Sequence, residues 1–133
     1  MSVQLPQTED VLYLPANAAA AGMARRELAA TAGIAGDVAY KALLMTSELI
    51  AVYVADLVPA PDARLRLTIR VTPERVRVEV AGPAPQVSLD ALLHSRETPS
   101  LGGMGLQIVE RMADEWGIAG AGRMTMWFEL ERA

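Results

Sequence analysis

The run Arg64-Leu65-Arg66-Leu67-Thr68-Ile69-Arg70-Val71 alternates polar and apolar side chains over its whole length. Arg75-Val76-Arg77-Val78-Glu79-Val80 does the same, after Thr72-Pro73-Glu74. Side chains along a strand point to opposite faces in turn. The two runs therefore predict a hairpin with one apolar face and one arginine-rich face. An apolar sheet face has to be buried against a second layer. The arginine face is left to water or to a partner.

The second layer is visible on either side of the hairpin. Ala18 to Ala30 is rich in helix formers, with Asn17 where an N-cap would stand and Gly33 and Gly36 punctuating its end. Asp37 is the expected cap of a second helix running to about Val58, where Pro59 and Pro61 stop it. Val11 to Leu14 reads as a short edge strand ending at Pro15. Residues 83–101 contain three prolines and no period, and read as a long loop with a short helix at Leu89 to His94. A loop of that length inside a compact domain is usually functional. A helix from Leu106 to Glu115 and strands at Trp116 to Ala119 and Met124 to Leu130 complete the order β α α β β, loop, α β β. That order predicts an α+β two-layer sandwich, with a mostly antiparallel mixed sheet and helices on one face. All 133 residues fit one domain.

Composition excludes several classes. The net charge is −4 and the cations are scattered, which argues against nucleic acid. There is no cysteine, and His94 is the sole histidine, so neither a disulfide framework nor a thiolate or histidine metal site is expected. The most apolar stretch, Ala42 to Val58, contains Glu48 and Asp56 and falls short of the roughly 20 residues that span a bilayer. With no basic segment before an apolar run at the N-terminus, the expectation is a cytoplasmic protein away from membranes. Eleven arginines against one lysine, with abundant alanine, suit a GC-rich bacterial genome.

Two features carry chemistry. Glu48 is the only charge between Ala42 and Ala55. Either it sits at the solvent edge of the helix, or it points into a polar pocket and can take a proton from an attacking hydroxyl. Gly102, Gly103 and Gly105 directly precede Leu106 and its helix. Glycines there let backbone N–H groups and a helix N-terminus approach a phosphate, although an ordinary loop-to-helix turn has the same composition. The run lacks the Lys-Ser/Thr of a Walker A loop and the third glycine of a Rossmann turn.

Thr46-Ser47-Glu48-Leu49-Ile50 on the second helix, a strand pair ending at Gly82, a long loop, then Gly103-Met104-Gly105-Leu106 before a third helix: this order resembles the GHKL, or Bergerat-fold, ATPases. Within them the chain looks most like the bacterial anti-sigma-factor serine kinases. Leu14-Pro15-Ala16, Ala113-Asp114-Glu115-Trp116-Gly117 and Thr125-Met126-Trp127-Phe128-Glu129-Leu130 carry the same resemblance. It implies a single histidine-kinase-like ATPase domain over residues 1–133, with residues 83–101 as the ATP lid and Glu48 as the general base. The family motif Ser-Glu-Leu-x-x-Asn-Ala has its magnesium-binding asparagine where this chain has Val52. The family's adenine-binding aspartate falls on Gly82.

Valine offers no lone pair to a hard cation, and glycine offers no acceptor to an amino group. Asp56 lies two turns beyond Glu48, about 12 Å along a regular helix, and could serve the same metal only if the helix were distorted. The resemblance, with these departures, implies a pseudokinase: no magnesium, no ATP or weak ATP, no metal. Its function would lie in contacts with a sigma factor or an anti-anti-sigma (STAS) protein, and in a homodimer. Two alternatives stand beside it. One is an active protein serine/threonine kinase with an atypical nucleotide site. The other is a small-molecule sensor in which Val52 and Gly82 open an apolar pocket.

Overall fold

A computed structural model of the chain describes residues 8–56, 60, 62–83, 105–119 and 123–132. The predicted hairpin is β2 (Arg64–Val71) and β3 (Arg75–Pro83), preceded by an edge strand β1 (Thr8–Pro15) and followed by β4 (Glu115–Ala119) and β5 (Arg123–Glu131). They form one sheet in the order β1-β2-β3-β5-β4. Every pairing is antiparallel, so among the described residues the sheet is not mixed. Strand β3 runs three residues past the predicted Val80. Ala81, Gly82 and Pro83 stay in register with Thr125, Met124 and Arg123 of β5.

Helices α1 (Ala20–Ala30), α2 (Gly36–Ala51) and α3 (Gly105–Met112) cover one face. Leu65, Leu67, Ile69, Val76, Val78 and Val80, the apolar half of the hairpin's alternation, are buried beneath them. Each such side chain contributes about 1.5–3 kcal/mol when removed from water. Helix α1 buries only Ala20, Ala24 and Leu28, so its small residues let it lie close to α2. The two helices are tied at the surface, where the Arg25 guanidinium donates to Ser47 Oγ at 3.3 Å.

Four helix boundaries differ from expectation, one of them the end of α2, which gives way at Val52 to the π-turn Val52–Asp56 before the expected Val58. Asn17 does not cap α1. Its side-chain oxygen accepts from the Ala19 amide at 2.9 Å, making a turn that precedes the helix. Asp37 lies inside the first turn of α2 rather than at its cap, beside the positive end of the helix dipole. Gly33 and Gly36 have φ of 90° and 60°, so the link from α1 to α2 depends on backbone that other residues rarely adopt. Helix α3 ends at Met112 and not Glu115. The Asp114 amide donates to Glu129 O, and the Asp114 carboxylate accepts from the Glu131 amide at 2.7 Å, which draws the chain into β4. The predicted helix at Leu89 to His94 lies outside the described residues.

The opposite face of the sheet carries no helix among the described residues. Three of its arginines are matched by acids: Arg70 to Glu9 at 2.8 Å, Arg77 to Glu79 at 2.7 Å, and Arg75 and Arg77 to Glu129 at 3.6 and 3.5 Å. The Arg77 guanidinium also lies over the Trp127 ring, 4.1 Å from its centroid. No helix among the described residues is long and apolar enough to cross a membrane.

Candidate functional site

Helix α2 positions the residues that the sequence singled out. Its buried stripe is Ala42, Met45, Thr46, Glu48, Leu49 and Ile50. Glu48 is only 4% exposed, which removes the reading of a glutamate at the solvent edge. Its Oε2 has no hydrogen-bond partner among the described residues, and neither has Thr46 Oγ1. Burial pushes the Glu48 carboxyl above the ordinary carboxylate range, because a charge there has lost its water. A carboxyl held this way can take a proton from a nearby hydroxyl, or hydrogen-bond a polar ligand.

One turn beyond Glu48 the helix changes character. Val52–Asp56 is a π-turn, wound one residue wider than the α-helix it continues. The Val52 amide still donates to Glu48 O and Leu49 O at the junction. Val52 and Tyr53, the first two residues of the π-turn, both face the core, each 1% exposed. Val52 therefore presents a hydrocarbon wall at the position where the resemblance puts a magnesium ligand. Asp56 closes the π-turn, so the regular-helix spacing assumed for it does not apply. Among the described residues no three acidic or histidine side chains gather as a metal set.

Gly82 sits near the end of β3, and the space a side chain would take there is already filled. A Cβ built on it would lie 2.5 Å from Tyr53 Cε1, 2.9 Å from Cδ1 and 3.0 Å from Leu65 Cδ2. The Tyr53 hydroxyl donates to Met124 O on β5, with Val80 O of β3 3.4 Å away. The expectation that Gly82 opens a pocket for a small molecule is therefore corrected: the ring of Tyr53 occupies that volume. Sequence reasoning missed Tyr53. The available signals were a lone glycine closing a strand of β-branched residues, which marks a close approach, and an aromatic residue directly after Val52.

Of the glycine-rich turn, Gly102 and Gly103 lie outside the described residues, as does most of the 83–101 loop. Gly105 opens α3, and Leu106 is half-buried and packs on the core beside Val109 and Met112. Helix α3 packs against α2, so the start of the one and the carboxylate of the other belong to the same layer.

Among the described residues the chain is a five-stranded antiparallel sheet backed by three helices, with an acidic residue buried in the second of them. Among solved structures the chain is similar to the RsbU and RsbW domains of Rv1364c from Mycobacterium tuberculosis. The match is 17% identical, with a TM-score of 0.64 over 93% of this chain and 32% of that one. At such identity the likeness is one of fold, and this chain spans about a third of the neighbour's length. No family model matches the sequence, and no curated protein matches it.

Proposed function

We propose that this chain is a regulator built on an anti-sigma-kinase type of domain, in which ATP and magnesium binding have been lost and activity lies in protein contacts. The observation that carries the reading is Val52: one turn after Glu48 the wall is buried hydrocarbon, with no oxygen for a hard cation. Gly82 adds to it, since β3 supplies no side-chain acceptor for a base there. The partners suited to such a domain are a sigma factor or an anti-anti-sigma (STAS) protein, and the setting is the cytoplasm. The fold shared with the RsbU and RsbW domain structure supports that choice. The experiment is calorimetric titration with ATP, with and without magnesium. No heat is expected up to millimolar nucleotide, with stoichiometric co-elution with a sigma factor or STAS protein. Magnesium-dependent binding in the micromolar range would overturn the reading.

One observation favours a second reading, a serine kinase with an atypical nucleotide site. Glu48 is buried, with Oε2 unpartnered among the described residues and its carboxyl pushed above the ordinary range by loss of water, which suits a proton-accepting role. In that case phosphate transfer to a partner serine would be measurable and would vanish in Glu48→Ala.

A further inference from the structure

The strongest geometric fact about the described helical layer is the fit between Tyr53 and Gly82. The two residues stand 29 apart in sequence, yet no side chain of any kind fits at 82 while the ring is in place. The ring is 1% exposed and ends in a hydroxyl directed at the backbone carbonyl of Met124, with that of Val80 alongside. A flat apolar slot floored by glycine, with carbonyl acceptors at its far end, is a receptor for a planar aromatic ring that carries a donor. Here the chain supplies that ring itself.

We propose that Tyr53 is an internal ligand: its phenol ring occupies an aromatic seat formed by Gly82, Leu65 and the carbonyls of Val80 and Met124, and so closes the end of β3 to any external planar ring. Tyr53 stands on the π-turn Val52–Asp56 that continues α2. The seat stands on geometry alone. Its consequence for a nucleotide base rests on the reading proposed above.

The test empties the seat and refills it. Tyr53→Ala removes the ring, and the probe is 4-methylphenol, the side chain without its backbone. Truncation of a buried aromatic is expected to lower the melting temperature by about 10 °C or more. Millimolar 4-methylphenol is expected to raise the melting temperature of Tyr53→Ala by several degrees and to leave the native chain unchanged. Toluene, which lacks the hydroxyl, should do less. A folded Tyr53→Ala that ignores 4-methylphenol, or a native chain that responds equally, overturns the proposal. Should Tyr53→Ala fail to fold, Tyr53→Leu serves, with Gly82→Ala introduced into both it and the native chain. The alanine is expected to lower the melting temperature of the native chain by several degrees and to cost little in the Tyr53→Leu background. Equal losses in the two backgrounds would overturn the proposal. Because the probe carries no phosphate, the result is independent of whether the native chain binds ATP.

Discussion

Two glycines in the sheet each lie under an aromatic ring, on opposite faces. Gly82 on β3 carries Tyr53 on the helical side, and Gly117 on β4 carries Trp127 on the open side. A Cβ on Gly117 would meet Trp127 Cζ2 at 2.9 Å and Nε1 at 3.0 Å. Neither glycine has a positive φ, so the backbone at both positions would accept an alanine and steric room alone decides. The rings differ in what can give way. Trp127 is half-buried, is paired in register with Gly117 across the strands, and has the Arg77 guanidinium stacked above it. Tyr53 is enclosed and fixed at its hydroxyl. The same local motif is thus a rigid lock in the core and a yielding contact at the surface.

The comparison can be broken most forcefully at Gly82. Gly82→Ala is expected to destabilise the fold by about 2–3 kcal/mol, since overpacking a closed site costs this much. Denaturant unfolding would measure it, and a loss below that of Gly117→Ala would reverse the ranking of the two seats. Glu48 sharpens the inner side next. Its carboxyl pKa is raised in the folded state, so its protonated form is favoured there. The stability it allows is full below the ordinary carboxylate pKa and declines as pH rises through the raised value. Glu48→Gln is therefore expected to stabilise the chain by about 1 kcal/mol near neutral pH, with the gain fading in acid. A melting-temperature difference that does not change with pH would contradict the burial argument.

On the outer side, Gly117→Ala is expected to cost about 1 kcal/mol or less, because Trp127 can slide toward water. Smallest is Arg77→Ala, at about 0.5 kcal/mol. Its stacking on Trp127 and its pairs with Glu79 and Glu129 are half-buried but open to water on one side, and the loss should shrink further if salt is already high. A salt-independent loss of several kcal/mol would mean that the open face is covered in solution.

The outer lock is nearly legible in the sequence, and the inner one is not. Alternation places Trp127 and Glu129 on the face opposite Met126 and Phe128, and short strands facing each other across a turn bring Gly117 beside Trp127. The β2–β3 hairpin and the helical layer follow from equally local patterns, whereas the sequence leaves Glu48 open between the solvent edge and a pocket. Nothing in Ala51 to Asp56 announces a π-turn, because the choice between windings is made by what the helix end packs on. The Tyr53–Gly82 fit joins distant parts of the chain, which no local pattern connects. The early end of α3 escaped for a related reason: Glu115 is a good helix former, and strand pairing with β5 outweighed its propensity.

The sheet also wires the chain as its own optical probe. Its two tryptophans stand on either side of the same strand pair: Trp116 faces the helices opposite Phe128, and Trp127 faces outward under a cation. Emission from Trp116 follows the integrity of the interior, whereas emission from Trp127 follows whatever arrives on the bare side. With Trp116→Phe and Trp127→Phe in hand, the side on which a binding event occurs can be read from unlabelled fluorescence, one colour shift at a time.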